Sequence, residues 1–139
     1  MEILKHLRNN ARQKITQIAK KTGIPISTVH DRIRVHEKKT IQKHTTLLDF
    51  TKLGYNTRIN IAIKVNTNAK EPLQKFLEEH ESINTLYKIN YGFDFLGEFI
   101  FKDLNEAHNF VDLIEKNFNA QTQLMNVIQE IKKEEFLTR

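Results

Sequence analysis

The sequence predicts an α+β protein in two parts, a basic helical head over residues 1–53 and a βαββαβ body over residues 54–139. Three observations predict it. Residues 15–34 hold two short apolar stripes of helical period, parted by Gly23-Ile24-Pro25. From Tyr55 onward the period changes to two, as Ile59, Ile61, Ile63 and Val65 alternate with Asn60, Ala62 and Lys64. The charge divides at the same place: residues 1–53 carry 12 Lys/Arg against 4 Asp/Glu, net +8, and residues 54–139 carry 10 against 13, net −3. A basic first third joined to a mildly acidic remainder confines any affinity for phosphates to one domain.

In the head, residues 2–8 set Ile3, Leu4 and Leu7 on one face of a first helix. Asn9-Asn10-Ala11-Arg12 is a polar turn. Ile15, Ile18 and Ala19 stripe a second helix over 14–22. Gly23 stops that helix, because glycine enters the left-handed conformation without a Cβ penalty. Pro25 starts the next segment, since it fixes φ and lacks an N–H. Val29 and Ile33 carry the stripe into a third helix over 26–38, which leaves Ser27, His30, Asp31, Arg34 and Lys38 facing outward. A short second helix with polar and basic residues outward is what a helix-turn-helix inserts into the major groove of DNA. Residues 40–46 are rich in β-branched side chains and carry a cation, which predicts a small β-wing beside the DNA backbone. Leu47-Leu48-Asp49 and Lys52-Leu53-Gly54-Tyr55 then form a connector.

The body begins with the strand at Ile59–Val65 named above. Pro72 opens a helix with Leu73, Phe76 and Leu77 inward. Residues 83–89 read as a second strand, Tyr91-Gly92-Phe93-Asp94 as a turn, and 95–101 as a third strand. Asn105 is the expected N-cap of a longer helix whose apolar face is Ala107, Phe110, Val111, Ile114 and Phe118. Residues 121–128 close the order as a fourth strand. That order is the ferredoxin-like sandwich, two helices over one face of an antiparallel sheet. The other face is left open, with Ala62, Leu86, Leu96, Ile100, Met125 and Val127 as its expected apolar residues. An open apolar sheet face on a small domain points to a second copy of the chain. Lys132-Lys133-Glu134-Glu135 reads as a solvated charge run.

Several chemistries find no support in the residues. With no cysteine there is neither a disulfide framework nor a thiolate metal site, and no cofactor is implied. The six histidines show no H-x-x-x-H or H-E-x-x-H spacing, so no metal is expected. No phosphate-cradling glycine loop and no G-x-S-x-G are present. Phe95, Phe99 and Phe101 would suit a base-stacking RNA platform, but in an acidic half their alternation reads as core. No apolar run approaches the ~20 residues of a membrane span, and the first ten residues lack a signal-peptide layout. The expectation is a cytoplasmic protein with no membrane partner.

Together the basic helix-turn-helix, the wing, the L-L-D-x-x-x-L-G-Y connector and the βαββαβ order resemble the Lrp/AsnC family of transcription regulators over nearly the whole chain. Ile3-Leu4, Asn10-Ala11-Arg12, Gly23, Ser27-Thr28-Val29, Arg32-Ile33, Glu37 and the Gly92-Phe93-Asp94-Phe95-Leu96 turn sit where such proteins have them. The resemblance implies a winged helix-turn-helix and a homodimer or larger even oligomer formed through the carboxy-terminal sheet. It also implies a small effector, often an amino acid, bound between carboxy-terminal domains. Departures are present: Gln13 and Lys14 replace an apolar residue and a Ser/Thr cap, His36 stands where leucine is usual, and Asp94 is alone where a Gly-Asp-x-Asp turn is common.

The expected function is therefore a sequence-specific regulator bound to double-stranded DNA, without enzymatic activity. Ile26, Ser27, Thr28, His30, Asp31 and Arg34 lie on the first turns of the third helix and are the expected base readers. Lys14, Arg32, Lys38, Lys39 and Lys43 are the expected phosphate contacts. Tyr91, Gly92, Phe93 and Asp94 are the expected effector turn. The alternative is an enzyme, since sirohaem decarboxylases resemble the same two-domain family without binding DNA. Lys43-His44 would then meet propionate side chains, but the +8 head with its outward polar helix favours the regulator.

Overall fold

The computed structural model describes residues 1–139 and divides into two units, Met1–Leu47 with Glu130–Arg139, and Leu48–Gln129. Residues 130–139, assigned on sequence to the body, thus belong with the head. No helix is long and apolar enough to cross a membrane.

In the first unit α1 spans Glu2–Asn9, α2 Ile15–Thr22 and α3 Ile26–Lys39. The expected stripes meet: Ile3, Ile18, Ala19 and Val29 are buried together, with Leu7, Ile15, Ile24 and Ile33 packed around them. Burying each large aliphatic side chain stabilises the fold by about 1.5–3 kcal/mol. The polar turn before α2 is built by Asn10, whose Oδ1 accepts from the Arg12 N–H at 3.0 Å and whose carbonyl accepts from Gln13. Gly23 sits at φ +72° and donates its N–H to the Ala19 carbonyl at 2.9 Å, closing α2. At the far end of α3 the Thr40 and Ile41 N–H groups both donate to the His36 carbonyl, which turns the chain out of the helix. Residues 41–49 then run without strand structure, so the segment expected as a β-wing forms no strand. The β-branched side chains favour extended backbone there, but a strand also needs a partner for its N–H and C=O ladder.

The second unit opens on a 3-10 turn, Phe50–Leu53, capped by Asp49, whose Oδ1 accepts from the Thr51 hydroxyl (2.6 Å) and N–H (3.2 Å). These bonds, the hydroxyl first, hold the Asp49 carboxyl below its ordinary pKa. β1 (Thr57–Lys64), α4 (Lys70–Glu79), β2 (Ile83–Lys88), β3 (Phe95–Phe101), α5 (Leu104–Phe118) and β4 (Gln121–Asn126) follow in order. The sheet runs β2-β3-β1-β4 with every neighbour antiparallel, as the βαββαβ order predicts. Pro72 is the third residue of α4, within the first turn, where its missing N–H costs no helical bond. Ile59, Ile61 and Ile63 of β1 and Phe95, Phe99 and Phe101 of β3 are buried with Leu73, Leu77, Phe110 and Ile114 of the helices. The three phenylalanines are core, not a stacking platform.

Two expectations in this unit need correction. The N-cap of α5 is Asp103, not Asn105: the Asp103 carboxylate accepts from the Glu106 N–H at 2.9 Å, and the Glu106 carboxylate accepts from the Lys102 N–H at 3.1 Å. This reciprocal pair satisfies two N–H groups at once, which a cap two residues later would leave open. Leu86 lies on the covered face, opposite Gly97 and packed on the core. A bulge between Ile83 and Thr85 shifts the register, so Ile83 and Leu86 both turn inward and Tyr87 turns out opposite Leu96. The open face therefore carries Tyr87 with Ala62, Leu96, Ile100 and Met125, interleaved with Asn60, Glu98 and Gln123.

Candidate nucleic-acid interface

The outward face of α3 follows from its stripe. Val29 is fully buried and Ile33 half-buried against α2, so the residues about 100–200° around the helix from Val29 face away from the core. His30, Arg34, Ser27, Lys38 and Asp31 occupy that sector, and all five are exposed. Thr28, Arg32 and Lys39 line one flank, with Thr28 half-buried, and Ile26 lies at the other flank, 54% exposed. Apolar Ile26 at a helix start, open to solvent, is a surface suited to a thymine methyl group.

The face has a short internal contact. His30 Nδ1 lies 3.7 Å from Asp31 Oδ1, while the Asp31 carboxylate forms no ion pair with Arg34. Lys14 is exposed where the chain enters α2, and Lys43 is exposed on the connector beyond α3. The expected phosphate contacts thus come from three places, the start of α2, the flank and last turn of α3, and the connector. Val35, 51% exposed beside Thr28 and Asp31 on the helix surface, is an addition that the two-residue stripe Val29–Ile33 did not single out.

The expected effector turn lies in the second unit. Tyr91 has a left-handed φ of +62° and is 94% exposed, and Phe93 is half-buried. Asp94 ties the turn down. Its N–H donates to the Ile63 carbonyl (2.8 Å), its Oδ2 accepts from the Val65 N–H (2.9 Å), and its Oδ1 faces Lys70 Nζ at 3.2 Å. The Val65 bond first, and then Lys70, hold the Asp94 carboxyl below its ordinary range. Both oxygens of the carboxylate are engaged within the chain.

The comparisons with known proteins fit this geometry. A family model described as winged helix-turn-helix DNA-binding matches residues 1–35. The HTH-type transcriptional regulator FL11 of Pyrococcus horikoshii is 32% identical over 114 residues, covering 81% of this chain and 76% of that protein. The chain belongs to the Lrp/AsnC family of transcriptional regulators. Among solved structures, this Lrp/AsnC chain superposes on LrpC of Bacillus subtilis with a TM-score of 0.86 at 20% identity, over 94% of this chain and 92% of that one. A transcriptional regulator of Neisseria meningitidis in complex with L-methionine matches with a TM-score of 0.87 at 18% identity, over 95% and 89%. At such identities the likeness is one of fold. The Lrp/AsnC protein is accordingly a DNA-binding regulator with a winged helix-turn-helix head and an α+β body.

Proposed function

We propose that this regulator works in the cytoplasm as a homodimer or larger even oligomer that reads operator DNA with α3 and answers to an amino acid. The observation that carries the reading is the outward face of α3: five exposed polar or charged side chains stand opposite a fully buried Val29, on a unit of net charge +8. Ile26, Ser27, Thr28, His30, Asp31 and Arg34 read bases, and Lys14, Arg32, Lys38, Lys39 and Lys43 hold phosphates. Copies pair through the open sheet face, where Leu96, Ile100 and Met125 lie outside the helix-covered core.

The turn at 91–94 is our candidate effector site, supported by its left-handed, exposed Tyr91 and by the methionine held by the Neisseria protein. With the Asp94 oxygens engaged, an effector's ammonium group would have to displace Lys70 or find carbonyl acceptors nearby. The relatives are regulators, which favours a role without catalysis over a tetrapyrrole decarboxylase.

Selection of bound duplexes from a random DNA pool tests the DNA reading. Enrichment of a two-fold-related pair of half-sites is expected, and a pool that stays random after selection would overturn it. Calorimetry with methionine and the other amino acids tests the effector. Heat from at least one is expected, and silence from all would remove that part of the proposal.

A further inference from the structure

Segment 130–139 is fastened to α1 by bonds that reading DNA does not require. Arg8 donates from Nε to the Phe136 carbonyl (3.0 Å), from Nη2 to the Glu134 carbonyl (2.9 Å) and from Nη1 to Glu134 Oε2 (3.2 Å). Asn9 donates from Nδ2 to the Thr138 carbonyl at 2.6 Å. Three carbonyls at alternate positions are taken up by two adjacent side chains, a way of gripping a chain that is indifferent to its side chains. Glu134 and Leu137 are held at φ +56° and +61°, a conformation non-glycine residues keep only when their surroundings impose it. Both also line a cavity of about 470 Å³ in the head, with Leu4 and Leu7 of α1 and with Lys43 and His44 of the connector.

Charge gives the grip a consequence. Segment 130–139 is neutral overall, with three Lys/Arg and three Asp/Glu, yet its Glu134 stands against Arg8 and shares a cavity with Lys43. A phosphate approaching Arg8 meets a carboxylate already at that cation, with Lys43 lining the same cavity. We propose that segment 130–139 is an autoinhibitory strap, docked on α1 of its own chain, whose Glu134 competes with DNA phosphate for Arg8 and Lys43. The proposal rests on DNA binding by the head. The side chains of the ion pair are 36% and 53% exposed, so the pair is weak and exchangeable, as a latch must be. The backbone carbonyls do the fastening and one carboxylate does the inhibiting, so the two are separable by mutation.

The test uses the full chain and a labelled random-sequence duplex, with binding followed from about 50 to about 200 mM salt. Glu134→Gln keeps the carbonyl bonds and removes the charge. Affinity is expected to rise about two- to fivefold, the log–log salt slope to steepen toward one further contact, ~0.9, and the melting temperature to stay put. Glu135→Gln controls for net charge, because that carboxylate meets the Thr138 hydroxyl rather than Arg8. Equal gains in both variants, or no gain with Glu134→Gln, would overturn the strap and leave a brace. Arg8→Gln is expected to speed amide exchange across residues 134–138, and unchanged exchange would show that Arg8 does not hold the segment. A wild-type chain that binds DNA without salt dependence would instead strike at the reading of the head, and the strap would fall with it.

Discussion

Asp31 is a carboxylate on a face whose other members are donors or cations, and at the DNA surface it is repelled unless it accepts from cytosine N4 or sets a neighbour. Its near neighbour is the His30 ring at 3.7 Å. We expect Asp31→Ala to change which operators are preferred more than it changes mean affinity, with each base contact worth ~1–3 kcal/mol of discrimination. Lys38→Ala should weaken all sequences alike, because a phosphate contact carries no base information. Binding measured across a panel of duplexes separates the two, and uniform tightening by Asp31→Ala would mark it as a passive repulsive charge. Gly97 makes a different demand. A Cβ there would lie 2.5 Å from a Phe99 ring carbon and 3.0 Å from Ile83 Cδ1. Gly97→Ala should therefore cost about 1–3 kcal/mol by overpacking, read as a lower urea midpoint. Period-two reasoning puts residue 97 on the covered face, but nothing in the chain's spacing tells that Phe99 folds back over it.

At the scale of elements, hydrophobic period located the helices and strands, and it failed where a local device broke the period. The third strand was readable to its ends because Phe95, Gly97, Phe99 and Phe101 alternate without interruption. The face of β2 was not, because one bulged residue reverses everything after it and leaves no mark in composition. The cap of α5 was misplaced because both Asp103 and Asn105 are good caps, and only geometry chooses. The wing was legible as a place, residues 41–49 after α3, but not as a strand, which needs a partner for its N–H and C=O ladder. His80, after α4, packs between Phe76 (5.6 Å between ring centroids) and Phe110 (4.7 Å), and its Nδ1 accepts from the Ser82 N–H. Burial holds this ring below its ordinary pKa, against a smaller pull from Glu81. The unfolded chain therefore takes up the His80 proton first as pH falls, so stability drops from about pH 6.5 downward and levels off below the folded value. Asp94 works lower: its stabilisation is present above the ordinary carboxylate range and is lost as pH falls through its depressed pKa. Urea midpoints at several pH values, in wild type and His80→Leu, should show the upper loss in the wild type alone.

For the molecule as a whole, the division of charge survives the redrawn boundary, since the neutral segment 130–139 joins the head without altering its net +8. What the sequence could not announce was that segment's destination, because a Lys-Lys-Glu-Glu run looks the same whether it is solvated or bound. The open sheet face gives the prediction proper to this scale. Ile100→Lys would set an unpaired ammonium in the proposed interface between copies, at a cost of several kcal/mol. Sedimentation should then show monomers, with weaker operator binding because two half-sites are no longer tethered. An unchanged sedimentation coefficient would mean that another face pairs the copies.

The head is built from two pieces of chain with the whole body, Leu48–Gln129, spelled out between them. In chain order the three helices precede the body, and the segment held by Arg8 follows it. Until the body has been translated, Arg8 and Asn9 lack the carbonyls of residues 134, 136 and 138 that they hold in the folded chain. If the strap acts as proposed, a chain stalled before residue 130 binds nucleic acid more tightly than one that carries residues 130–139.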